Sequence, residues 1–555
     1  MTRNIIYIGF LLSLTLFSSC KKDFLDRQPM DAISDESFWT TEEQLQLALN
    51  ALYAQETLKN SETVALDQMG DNSINSTTSD AYRLISAGVY GSDLSVLNTT
   101  WWADIYKGIR RCNVFLQNYQ QATEVSEEIK NQMAGEAKTI RAYCYMQLTL
   151  LFGDVPLITE PLELDELYGP RTPREEVINF ILAELDDAAG MMQAEPMTGS
   201  ALGRFSKGVA LALKARMALY DSRWTEAEQA AQAVMDLGVY HLYTTGNPEK
   251  DYYDLFTYTG KLANGTNHET IAARLNLVDV SRHNISRETQ VPDQAARYNP
   301  TKALVDTYLC VDGLPIDRSP LYKEDTYEAI FENRDPRMKQ TILAPGAAWG
   351  GKRDGNPNNT DPTIFTAPKF IADKLGCVTI TGYYFTKYVE LTTVPQVNRD
   401  ANDIHLIRLA EVYLTYAEAK MEQGTLTQED VDKTINLLRD RVGMKRMVLT
   451  ELAQNGLDLR TEIRRERRVE LAREGQRWFD MMRWKQGDLL ALDTKGVKRD
   501  LVMDQNQVSN VAVDAQGYIV VLTGRRFEDP KNYLLPVPLV QTQRNPELGQ
   551  NPGWN

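Results

Sequence analysis

Apolar side chains recur at three- and four-residue steps through most of the first half of the chain. Trp102, Ile105, Ile109, Cys112 and Leu116 fall on one stripe, which predicts a helix with a single buried face. Ile129, Met133, Ala137, Ile140, Cys144, Leu148 and Leu151 repeat the pattern until Gly153 and Pro156 stop it. The segment TPREEVINFILAELDDAA opens with Thr172 as N-cap, Pro173 at the first helical position and Glu175 closing a capping box. SKGVALALKARMALYDSRWTEAEQAAQAVMDLG then predicts two alanine-rich helices around a short turn, with a second box at Thr225 and Glu228 and a stop at Gly238. Small residues let such a pair approach closely, as in a tetratricopeptide-like hairpin. A comparable pair is expected at Ile407–Gln423 and Gln428–Val442, parted by Gly424. The spacing between pairs is irregular, so this is no clean repeat array.

Between about 245 and 400 the helical period gives way to Gly, Pro, Asn, Asp and Tyr with short β-type runs. APGAAWGGKRDGNPNNTDP, from Ala344 to Pro362, reads as a long exposed loop, and such loops in compact proteins are usually functional or disordered. Helical texture returns until about Gln486, and loops with short strands end the chain.

The run from Ile5 to Phe17 is apolar throughout but only 13 residues long, against roughly 20 for a membrane-spanning helix. Following Arg3 and ending in small residues, it predicts a secretory signal peptide. Ser18-Ser19-Cys20 places a thiol at the cleavage point, so Cys20 is expected to be the first mature residue and to carry lipid, although Phe17 stands where the strict lipoprotein box has Leu. Two or more acyl chains make a stable anchor, each buried CH₂ contributing about 0.8 kcal/mol. The expected organisation is a signal peptide at 1–19, a lipidated tether at 20–40 and one body at 41–555. Within that body the helical scaffold lies mainly at 41–245 and 405–486, with a loop-rich, ligand-facing part at 246–404.

Composition is that of an ordinary globular protein, 43% hydrophobic and 25% charged. Net charge is −16, and −17 once residues 1–19 and their one cation, Arg3, are removed. A body this acidic repels phosphate backbones, which excludes nucleic acid as a partner. It equally disfavours polybasic attachment to anionic lipid, leaving Cys20 as the anchor. Cys112, Cys144, Cys310 and Cys377 form no C-x-x-C pair and are expected as buried free thiols. His241, His268, His283 and His405 share no metal-ligand spacing, so no zinc site and no cofactor are expected, though a loop calcium is left open.

Three patterns invite chemistry. Gly346, Gly351 and Lys352 match most of a phosphate loop, but Arg353 stands where Ser or Thr should hold magnesium and no helix follows. An EF-hand starting at Asp71 fails at Ser76, where Gly is required, and at Tyr82, where Glu is required. Glu462, Glu466, Glu470 and Glu474 line one helical stripe among arginines. Arginines lower carboxylate pKa values and make a poor general acid, so a structural ion network is expected there rather than a paired-carboxylate hydrolase. Aromatics offer a different chemistry, because sugar rings present C–H faces that stack on them while polar neighbours bond the hydroxyls. Trp101 and Trp349 are the candidate platforms, with Asp71 and Arg83 as hydrogen-bonding neighbours.

These features together resemble the SusD/RagB family of outer-membrane nutrient-binding lipoproteins from Bacteroidetes. The resemblance is carried by DFLDRQP after the cysteine, FWTTEEQLQLALNALY, WADIYKGIRRCNVFL and EAKTIRAYCYMQLTLLFGDVPL. It continues through RFSKGVALALKARMALY, NRDPRM, TGYYFTKY, RLAEVYLTYAEAKMEQG, RRVELAREGQRWFDMMRW and PVPLVQTQRNPELGQNPGW. It implies a mostly α fold with four tetratricopeptide-like helix pairs packed against an irregular, loop-rich part with short strands. It further implies a non-enzymatic lid over a SusC-like TonB-dependent transporter, exposed at the cell surface, which captures glycan and passes it inward. The alternatives are a carboxylate-based glycoside hydrolase using Glu462–Glu474, a peptide- or glycoprotein-binding relative, and a helical scaffold that binds only proteins.

Overall fold

Helix-forming periodicity becomes a stack of helices in the computed structural model, which describes residues 38–54, 58, 62–163, 168–291, 294–351, 363–371 and 377–554. Cys20, the apolar run before it, Lys352 and Arg353 lie outside the described residues. Helix α1 (Glu42–Leu52) begins at a reciprocal capping box between Thr41 and Gln44 and buries Leu45, Leu49 and Leu52. The short α2 (Ala81–Ala87) is capped by Asp80. Helices α3 (Asp104–Asn118) and α4 (Glu127–Phe152) bury the predicted stripes, Ile105, Ile109 and Cys112 on one and Met133 to Leu151 on the other. They are followed by α5 (Arg174–Met191), α6 (Lys207–Tyr220) and α7 (Trp224–Asp236).

Two predicted helix starts are made differently. Thr172 does not cap α5; its hydroxyl accepts the Leu157 N–H at 3.2 Å, and Asp154, 20 positions upstream, accepts the Arg174 N–H at 2.8 Å. Thr225 and Glu228 lie inside α7 and both bond Gln423, at 3.0 and 2.7 Å. The capping pair thus serves as a bridge between helices. Gly238, at φ +68°, does end the hairpin as predicted.

After α7 the chain makes a long excursion containing α8 (Ile285–Gln290), then returns in α9 (Leu409–Glu422), α10 (Leu459–Glu470) and α11 (Arg477–Arg483). Helix α3 packs on α4, α4 on α5, α5 on α6, α6 on α7, α7 on α9 and α9 on α10. The stack is therefore continuous in space although the excursion interrupts it in sequence, and the fold is mostly α. Gly208 explains one close approach: a β-carbon there would lie 2.4 Å from the Tyr240 hydroxyl oxygen. The predicted helix at Gln428–Val442 is split into Gln428–Asp432 and Ile435–Arg441, with Thr434 at φ −132° and ψ −88° between them.

Strands among the described residues are short: β1 (Ser73–Asn75), β2 (Thr270–Arg274), β3 (Tyr298–Pro300), β4 (Ala348–Trp349), β5 (Thr363–Ile364), β6 (Ile404–Arg408), β7 (Thr494–Lys498) and β8 (Tyr518–Leu522). They pair antiparallel as β1 with β3, β2 with β6, β4 with β5 and β7 with β8. Ile407 and Arg408, expected in a helix, belong to β6.

One apolar core fills the helical stack. A second lies beneath the excursion and is built largely from its tyrosines, Tyr252, Tyr308, Tyr383, Tyr384 and Tyr388 all being buried. A third joins Ala410 and Leu414 to Ile435, Leu438 and Ile463. Cys112, Cys144, Cys310 and Cys377 are buried free thiols, as expected. No helix among the described residues is long and apolar enough to cross a membrane.

Candidate functional site

Strand β1 fixes a polar neighbourhood on the loop-rich side. The Asn75 carbonyl accepts from Arg83 Nη1 at 2.6 Å, so Arg83 on α2 is spent holding the end of this strand. Asp80 starts α2 by accepting the N–H groups of Tyr82 and Arg83 at 3.0 and 3.3 Å on Oδ1. Its other oxygen pairs with Arg297 at 3.4 Å, across 217 positions of sequence. The register of β1 on β3, Asn75 opposite Tyr298, creates that meeting. Arg297 also pairs with Glu288 of α8 at 3.0 Å, and the Tyr298 hydroxyl donates to the same carboxylate at 3.1 Å.

Tyr82 stands at the edge of this group. Its hydroxyl donates to Glu62 Oε1 at 2.7 Å, and Trp101 Nε1 donates to the same oxygen at 2.8 Å. The Tyr82 and Trp101 rings meet edge to face with centroids 5.8 Å apart. Burial, reinforced by the Glu62 charge, pushes the Tyr82 hydroxyl well up, so it stays a donor at neutral pH. Trp101 itself sits in a π-helical turn, Thr99–Ala103, just before α3, and such turns inside helices concentrate at functional positions. Asp80, Tyr82, Glu288 and Arg297 are all partly exposed, Arg297 most of all with 43% of its side chain open. The group therefore offers alternating donors and acceptors beside an aromatic edge.

The four residues singled out from sequence fall in three places. Trp101 and Arg83 flank the Tyr82 group. Trp349 lies in the second core, edge-on to Phe365 at 5.3 Å, while the adjacent Gly350 N–H donates to Gln290 of α8 at 3.2 Å. Asp71 turns the other way, onto Arg477 at 2.7 Å and Arg468 at 3.1 Å. Although burial pushes its carboxyl up, Arg468 and Arg477 hold it well below the usual carboxylate range. Both indoles are 3% exposed, and Asp71 and Arg83 are committed to partners inside the protein. Tyr82, Asp80, Glu288 and Arg297 went unnoticed in the sequence because Asp80 reads as a helix cap and its partners arrive from distant segments.

The glutamate stripe has become a buried ion network. Glu466 meets Arg337 at 2.6 Å and Arg439 at 2.7 Å; Glu470 meets Arg441 at 2.5 Å and Arg408 at 2.8 Å. Glu474, just past α10, meets Arg408 and Lys387, each at 2.7 Å. Burial pushes the Glu474 carboxyl up, but those two cations bring it down to about 2. Burial also pushes the Lys387 ammonium down to about 8, against the pull of Glu474. No group of three or more His, Cys, Asp or Glu placed to hold a metal ion occurs among the described residues.

Comparison with known proteins assigns this architecture. A family model described as the SusD family matches residues 269–554. The chain belongs to the SusD family. A second model, described as starch-binding associating with outer membrane, matches residues 23–219 and so includes the SusD-family segment that carries Tyr82 and Trp101. The SusD-like protein P25 of Formosa agariphila is 24% identical to this SusD-family chain over 592 positions, covering 100% of this chain and 99% of the relative. The crystal structure of a SusD-like carbohydrate binding protein from Bacteroides fragilis has a TM-score of 0.77 at 25% identity, covering 92% of this chain and 100% of the other. A laminarin binding SusD-like protein shares the fold with a TM-score of 0.64 at 22% identity, over 93% and 100% of the two chains.

Proposed function

We propose that this protein captures glycan at the surface built around Tyr82, Asp80, Glu288 and Arg297 and delivers it to a SusC-like TonB-dependent transporter. In this reading the chain is held at the outer membrane by lipid on Cys20 and faces outward. The observation that carries the reading is the SusD-family match together with the starch-binding, outer-membrane description over residues 23–219, which contain Glu62, Asp80, Tyr82 and Trp101. The chemistry of the surface supports it. A carboxylate, a guanidinium and a phenol can bond sugar hydroxyls in both directions, and an aromatic ring beside them can take a C–H face.

The protein acts by binding and transfer, without bond chemistry. A glycosidase needs one carboxyl kept protonated near neutrality as its acid, whereas Glu466, Glu470 and Glu474 are all held low by arginines or lysine at 2.5 to 2.9 Å. Calorimetry of the purified protein against α-glucans, β-glucans and peptides tests both parts. Expected are glycan binding, weakened about tenfold or more in Arg297→Ala, and no new reducing ends on prolonged incubation. Peptide binding without glycan binding, or any release of reducing sugar, overturns the reading.

A further inference from the structure

Five arginines line one small cavity on the far side of Asp71 from the Tyr82 surface. Arg460, Arg464, Arg465, Arg468 and Arg477 enclose about 220 Å³, with Trp484 and Gln486 completing the wall and no carboxylate among the lining residues. The carboxylates behind them are too few. Glu422 serves Arg460 at 2.9 Å and Arg464 at 3.4 Å, Glu462 serves Arg465 at 3.0 Å, and Asp71 serves Arg468 at 3.1 Å and Arg477 at 2.7 Å. Five guanidiniums thus share three carboxylates, in a molecule that is otherwise strongly acidic. Burial pulls the Arg464 guanidinium down against the pull of Glu418 and Glu422, and burial with Arg477 beside it pushes Arg468 down to about 10. A bound anion relieves both.

Two buried polar atoms in the wall lack hydrogen-bond partners, Arg464 Nε and Gln486 Oε1. The first is a donor suited to an oxyanion, and the second is an acceptor suited to a hydroxyl. A neighbouring cleft of about 540 Å³ shares Arg468 and Leu489 with this cavity, and there Asp306, Asp493, Thr301 and Thr494 add acceptors and hydroxyls. A bare ion has no use for that second set of groups. A ligand bearing an anionic group together with many hydroxyls uses both.

We propose that this arginine cavity binds the anionic substituent of an acidic saccharide, a uronate carboxylate or a sulfate ester, while hydroxyls of the same sugar reach Gln486 and the adjoining cleft. The proposal rests on glycan capture as the protein's role but on residues separate from Tyr82 and Arg297, so the two can fail independently. The purified protein is titrated by calorimetry with glucuronate, galacturonate, glucose 6-sulfate, glucose and sodium sulfate. The acidic sugars are expected to bind about tenfold or more tightly than glucose, with affinity falling as salt rises. Comparison of uronate with sulfate ester identifies which substituent fits. Arg464→Gln and Arg460→Gln each lower acidic-sugar affinity about tenfold. Arg446→Gln, at an exposed pair with Asp440 outside the cavity, leaves it unchanged. Arg460 has 53% of its side chain exposed, so its replacement tests the cavity even where Arg464→Gln melts early. Equal binding of glucose and acidic sugars, sodium sulfate binding as tightly as the sugars, or no loss in the Arg460 variant overturns the assignment. Neutral-glycan binding that survives Arg464→Gln leaves the Tyr82 surface intact as the main site.

Discussion

His405 shows what burial does to a single titratable side chain. Its ring lies between Thr270 Oγ1 at 2.9 Å and the Leu255 carbonyl at 3.2 Å, and burial pushes it down to about 4. A group depressed in the folded state contributes stability above its unfolded value and loses it as pH falls. His405 therefore costs stability from its ordinary 6.5 down to about 4, and Glu474 continues the loss from 4.5 down to about 2. Asp67, raised by burial to about 6, acts in the opposite sense over much of the first window. The His405 contribution is therefore read as the difference in thermal midpoint between His405→Gln and the parent protein, which should narrow as pH falls from 6.5 to about 4. The same dependence on surroundings governs Trp101 and Trp349. Their ring partners are Tyr82 for one and Phe365 with Tyr384 for the other, all from other segments. Residue type announces that an aromatic can stack; it does not announce on what.

Among elements, helices were legible because their period is local, and the stripes of α3 and α4 sit where the apolar spacing puts them. Caps were less so, since Asp154 outcompeted the Thr172 box from outside the helix. The ladders were not legible at all, for each joins two to five residues to a partner that only tertiary structure supplies. The glutamate stripe of α10 was read correctly as an ion network, because arginines crowd it in sequence as well as in space. Removing one member of a buried ion set strands its partners. Glu470→Gln should lower unfolding free energy by about 3–5 kcal/mol in urea titrations. Gly208→Ala gains helix propensity but drives a methyl into Tyr240, so a net loss of about 1–3 kcal/mol is expected from overpacking.

At the scale of the whole molecule, the proposed attachment is through Cys20, outside the described residues. Cys20→Ala is expected to move the protein from the membrane fraction to the soluble fraction after cell breakage, and continued sedimentation with membranes would count against lipidation. The ladder of β2 on β6 has a consequence for how such chains diversify. It sets Arg274 opposite Ile404, so the excursion leaves the helical stack and re-enters it at one doorway. Replacing its contents, like a cartridge, is expected to leave α7 packed on α9. The seat has further pins, however: Arg337, itself paired with Asp335, reaches back to Glu466 and Glu470, Lys387 reaches Glu474, and β3 ladders onto β1. A transplanted cartridge from a distant relative should fold in place only when it brings Arg337, Lys387 and the β3 edge with it.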